Sequence, residues 1–96
     1  MELRYVDREL EWRCTDASYM QRKLGTQVAK KLKLRIAELR SAGEMGDLLL
    51  GTGKWEELSC DRAGQWSARL TANWRLIVRP DDDEPTVLIV EIIDYH

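Results

Sequence analysis

Three residues at the end of the sequence, Asp94, Tyr95 and His96, can each carry or relay a proton, and His96 is the only histidine. They follow "VEII", an apolar run that reads as the end of a buried strand. Upstream, residues 62–79 hold four arginines, Arg62, Arg69, Arg75 and Arg79, and no acid. Proton-transfer groups beside guanidinium forks suit phosphoryl chemistry. Such a reaction needs a base at the nucleophile, an acid at the leaving oxygen and cations around the developing charge. A guanidinium fork fits the paired oxygens of a phosphate better than an ammonium does. An unperturbed imidazole titrates near ~6.5, so His96 could donate or accept a proton at neutral pH. On pattern alone the same residues also read as a polar tail and a solvated sheet face with cross-strand ion pairs.

The elements that would position these groups follow from hydrophobic periodicity. In "QWSARLT", Trp66, Ala68 and Leu70 alternate with Gln65, Ser67, Arg69 and Thr71. In "NWRLIVR", Trp74, Leu76 and Val78 alternate with Arg75, Ile77 and Arg79. "TAN" between them suits a hairpin turn, "PDDDEP" a solvated loop, and "TVLIVEIID" a long β-branched strand. If the apolar set faces a core, then Arg69, Arg75 and Arg79 share the opposite face, with Glu91 and Tyr95 by parity. An arginine-lined open sheet suits a polyanion such as RNA.

The first half has the helical period. "ELRYV" makes a short first strand. Asp16 or Ser18 caps a helix through "YMQRKL" that breaks near Gly25. Thr26 is expected to cap a longer helix, "QVAKKLKLRIAELR", in which Val28, Leu32, Ile36 and Leu39 share one face. "EMGDLLL" reads as a weak helical turn and "GTGK" as a loop. Helices followed by antiparallel strands predict an α+β fold, a small antiparallel sheet with two N-terminal helices packed on one face.

The chain has 96 residues, 44% of them hydrophobic and 33% charged, which fits one small domain over residues 1–96. It has no run of 18 apolar residues, so no membrane association is expected. The opening "MELRYVDREL" mixes acids and bases, unlike a secretory signal. Cys14 and Cys60 lack metal-ligand spacing and read as reduced thiols of a cytoplasmic protein; neither a metal site nor a cofactor is expected. The net charge of −2 conceals segregation. Residues 22–40 carry seven bases against Glu38 alone, whereas residues 81–94 carry six acids. Local basic tracts in an acidic protein point to an anionic partner met by one surface, although a lysine-rich helix is also an ordinary solvated face.

The stretch from Glu57 to His96, "ELSCDRAGQWSARLTANWRLIVRP…TVLIVEIIDYH", resembles toxins of bacterial type II toxin–antitoxin systems. It is similar to the RelE/ParE superfamily, in particular its HigB-like plasmid-maintenance branch. The motifs are Asp61-Arg62-x-Gly64-x-Trp66-Ser67, the strand Trp74-Arg75-Leu76-Ile77, and the terminal Glu91-Ile92-Ile93-Asp94-Tyr95-His96. The helix "VAKKLKLRIAELRSAGEMGDL" extends the resemblance to about three-quarters of the chain. The resemblance implies a metal-free, ribosome-dependent mRNA endoribonuclease in which the 2′-OH attacks the adjacent phosphate. It implies neutralisation by a cognate antitoxin, commonly a helix-turn-helix DNA-binding protein. Carried onto this sequence, it makes Asp94, Tyr95, His96 and Arg75 the catalytic candidates and Arg62, Arg69 and Arg79 the RNA-binding ones.

The sequence departs from that pattern just before Asp61-Arg62. The family often has a basic residue and a glycine there, and a histidine shortly upstream; here stand Ser59, Cys60 and Glu56. Lys54, in the preceding loop, is a candidate to reach in and take the missing contact with RNA, and Glu56 is an alternative base. Two other readings share the fold: a ParE-like toxin that inhibits DNA gyrase, and an antitoxin- or RNA-binding module without strong catalysis.

Overall fold

The alternation in residues 66–80 becomes a hairpin at the centre of a five-stranded sheet. In the computed structural model, which describes residues 1–95, strands β1 (Glu2–Tyr5), β2 (Glu56–Glu57), β3 (Trp66–Arg69), β4 (Trp74–Pro80) and β5 (Thr86–Asp94) take the order β1-β5-β4-β3-β2. Three helices, α1 (Arg8–Thr15), α2 (Ala17–Leu24) and α3 (Thr26–Ser41), precede most of the sheet. Short 3₁₀ turns lie at Met45–Leu50 and Cys60–Arg62. The α+β class and the packing of helices against the sheet match the expectation. The sheet itself is mixed, because β1 runs parallel to β5 while the other neighbours are antiparallel. A hairpin turn forces antiparallel pairing, but β1 and β5 are joined through the whole intervening chain, so no turn dictates their sense.

The N-terminal half holds one helix more than expected. Asp7 caps α1 by accepting from the Leu10 N–H at 2.8 Å, and the helix buries only Leu10 and Cys14, one turn apart. That is too short an apolar stripe to stand out in the sequence. Asp16 ends α1 with its own N–H on the Trp12 carbonyl, and it starts α2 by accepting from the Tyr19 N–H at 3.0 Å. Gly25 separates α2 from α3 at φ +84°, a backbone conformation costly for residues with a Cβ. The cap position of α3 is Gly25 rather than Thr26, whose hydroxyl instead accepts from the Gln21 amide.

α3 lays Val28, Ala29, Leu32, Ile36 and Leu39 against Ala68, Leu70, Leu76, Val78, Val87 and Ile89 of the sheet, with Trp66 and Trp74 packed at the rim. This is the apolar parity set read from the sequence. Removing the fully buried Leu32 side chain down to Ala would cost about 2–5 kcal/mol. In β5 the alternation is broken by a bulge: Ile77 pairs with Glu91 but Val78 with Ile89, so Val90 is the extra residue. The bulge lets Ile89 and Ile92 both face the helices while Glu91 takes the other side.

Candidate functional site

The sheet face turned away from the helices is ordered in cross-strand rows, because directly opposed residues of antiparallel strands point the same way. One row runs Glu56, Ser67, Ile77, Glu91. The next runs Arg69, Arg75, Ile93. Beyond it the Tyr95 N–H donates to the Asn73 carbonyl at 2.8 Å, which continues the pairing past the end of β5.

The first row is less open than alternation suggests, since Ser67 and Ile77 are buried. Its ends are acidic, the exposed Glu56 on the edge strand and the half-buried Glu91 on β5. Glu91 is bridged by the Arg62 guanidinium, which also donates to the Gln65 side chain at 2.8 Å.

The second row places two like charges face to face, an arrangement that destabilises a sheet unless something compensates. Arg75 is anchored: its Nη1 donates to the carbonyls of Thr71, Ala72 and Trp74 at 2.8, 3.1 and 3.0 Å, tying the guanidinium to the hairpin turn. The same guanidinium lies over the Tyr95 ring, 5.8 Å from its centroid, within cation–π range. Tyr95 stays half-exposed. Arg69 is exposed and makes no ion pair among the described residues. The backbone N–H of Arg69 donates to the Gly53 carbonyl at 2.8 Å, so Lys54, exposed at φ +50°, lies next to this row.

A scan against protein-family models matches residues 14–96 to "YoeB-like toxin of bacterial type II toxin-antitoxin system". The chain belongs to this toxin family. The superfamily is the one its motifs resembled; the branch described by the matching model is YoeB-like rather than HigB-like. No curated protein sequence matches the chain closely enough to count as a relative. Among solved structures, the chain is similar over its whole length to a YoeB/ParE toxin from Agrobacterium tumefaciens, also covered in full, with 23% identity and a TM-score of 0.70. It is also similar, over its whole length and 97% of the other chain, to the Staphylococcus aureus YoeB–YefM heterotetrameric toxin–antitoxin complex, with 25% identity and a TM-score of 0.62. YafQ from E. coli matches 97% of this chain and 91% of its own at 15% identity and a TM-score of 0.62.

Within this toxin fold, only some of the expected site residues come together. Arg69, Arg75 and Tyr95 come together, with Lys54 beside them through its neighbour Gly53. Arg62 lies on the same face but is already paired with Glu91. Arg79 is four residues along β4 from Arg75, about 13 Å at the usual strand rise, and opposes Leu88. Asp94 opposes Trp74, on the alternate side of the strand from Tyr95. His96 lies outside the described residues. Two residues gain weight from the structure. Glu56 joins the first row because Glu56–Glu57 forms an edge strand, too short to show a period. Arg35, counted from sequence among the solvated bases of α3, is buried and reaches β3.

Proposed function

We propose that this toxin is a ribosome-dependent mRNA endoribonuclease whose phosphate-binding element is the facing pair Arg69–Arg75. The observation that carries the reading is this cross-strand pair of like charges, one member stacked on Tyr95 and the other without a carboxylate partner among the described residues. An RNA phosphate between them would remove the repulsion and bring the backbone across the sheet beside the ring. In the reaction a base takes the 2′-OH proton and the oxygen attacks the adjacent phosphorus. The P–O5′ bond breaks, an acid supplies the proton to O5′, and a 2′,3′-cyclic phosphate and a 5′-OH remain. Arg75 and Arg69 stabilise the charge on the non-bridging oxygens. Tyr95 stacks on a base or holds the 2′-OH. His96 is the first choice for proton transfer, with Asp94 orienting a neighbour, and Glu56, one row away, is the alternative base. Lys54 supplies the cation that Ser59 and Cys60 do not, and Arg62 and Arg79 extend the RNA track.

A cognate antitoxin, expected to be a helix-turn-helix protein, would neutralise the toxin; the Staphylococcus aureus relative is seen in complex with its partner YefM. Induced expression in bacteria, followed by mapping of mRNA 5′ ends, tests the reading. Growth should stop, with new ends appearing inside translated regions and disappearing when initiation is blocked. Normal growth at confirmed soluble expression would sink it.

A further inference from the structure

We infer that Arg35, on α3 at the opposite side of the sheet from the site, is a positioning residue that holds Arg69 in place against Arg75. The inference rests on the reading of those two arginines as phosphate ligands. Arg35 is 5% exposed. Its Nε donates to the Arg69 carbonyl at 2.8 Å, and its Nη1 donates to the Glu38 carboxylate one turn along α3.

The arrangement answers a need at the end of β3. The Leu70 N–H donates to the Trp74 carbonyl at 3.0 Å. By the alternation of an antiparallel ladder, the N–H and carbonyl of Arg69 therefore point away from β4, toward the β2 side. β2 is two residues long and is used up by Trp66 and Ser67. Arg69 is held instead by a loop and a helix, its N–H on the Gly53 carbonyl and its own carbonyl on Arg35. Gly53 leaves the room this requires: a Cβ there would lie 2.9 Å from Arg35 Cδ and 2.5 Å from Trp55 Nε1.

Stability alone does not account for the choice of group. A buried guanidinium is costly to desolvate even when paired, and a neutral donor would satisfy one carbonyl. A fork tied to both Glu38 and the strand adds stiffness between β3 and a long helix. Stiffness matters here because a non-hydrogen-bonded cross-strand pair is the closer kind, and both its members are cations. Arg75 is fixed by the carbonyls of Thr71, Ala72 and Trp74, so Arg69 is the member that repulsion would displace when no anion is present.

The test is a double-mutant cycle on the full chain: Arg35→Lys, Arg69→Ala and the two combined, with Glu38→Gln as a gentler way of loosening the fork. The readouts are single-turnover cleavage of mRNA on programmed ribosomes, the salt dependence of binding to them, and thermal melting. Arg35→Lys should slow cleavage on the order of 10- to 100-fold, the scale of a misplaced binding group. It should flatten the log–log salt slope by about 0.7, the share of one single-strand phosphate. In the Arg69→Ala background the further loss should stay below about two-fold, since the two residues then act as one unit. Glu38→Gln should shift both readouts in the same direction by less, and it carries the test alone if Arg35→Lys does not fold. Equal losses in both backgrounds, or wild-type behaviour of the loosened variants, would overturn the positioning role while leaving the phosphate pair standing. Wild-type behaviour of Arg69→Ala itself would remove the phosphate pair and this inference with it.

Discussion

Arg75 joins three functions in one side chain. It secures the hairpin turn through three carbonyls, supports Tyr95 through the ring face and opposes Arg69. Arg75→Ala should therefore cost more than Tyr95→Phe, which removes a hydroxyl but keeps the stacking surface. The expected single-turnover loss is on the order of 10² to 10³ for Arg75→Ala, the usual worth of a transition-state charge stabiliser. A larger loss for Tyr95→Phe would make the Tyr95 hydroxyl, rather than its ring, the working part. His96 is tested separately. Removing it or changing it to Gln should lower cleavage by roughly 10² to 10⁴ if it transfers a proton. If cleavage survives, Glu56→Gln becomes the variant that should abolish it.

Among the elements, the α1–α2 corner turns on one side chain. Asp16→Ala removes the acceptor for the Tyr19 N–H and should cost about 1 kcal/mol in thermal or denaturant unfolding. Cleavage well below the melting temperature should be unchanged, because the corner does not reach the arginine face. Legibility in the sequence differs element by element for physical reasons. β3, β4 and α3 declared themselves because each buries a full periodic stripe: Ala68 and Leu70, Leu76 and Val78, Leu32, Ile36 and Leu39. The arginine face followed from the same parity, as did the shared side of Glu91 and Tyr95. α1 buries two side chains and β2 has two residues, so neither contains enough periods to be seen. The β5 bulge was hidden because "LIVEII" is apolar on both sides of the strand, and only pairing reveals which residue is extra. Arg35 looked like its exposed lysine neighbours because a one-dimensional pattern cannot tell a buried, paired cation from a solvated one.

Over the whole molecule, the two cysteines give an independent check on packing. Burial pushes the Cys14 thiol up to about 12, with the nearby Arg13 charge only partly opposing it. A thiol whose folded value is raised contributes stability that is fully present below the ordinary thiol range and is lost as pH climbs toward 12. Unfolding should therefore become easier between about pH 9 and 12, where the unfolded chain ionises first, and Cys14→Ala should lessen that slope. At pH 8 an alkylating reagent should modify the exposed Cys60 in the native protein and reach Cys14 only after unfolding.

At the same scale lies the claim that one sheet face cleaves RNA on the ribosome. Its most direct test is single-turnover cleavage of an end-labelled mRNA on programmed ribosomes by purified wild type and Arg75→Ala, with the product ends identified. The account predicts cleavage by wild type that leaves a 2′,3′-cyclic phosphate and a 5′-OH, and a strong loss with Arg75→Ala at unchanged melting. Intact mRNA after incubation with folded wild type, or cleavage that leaves 5′-phosphate ends, would contradict it.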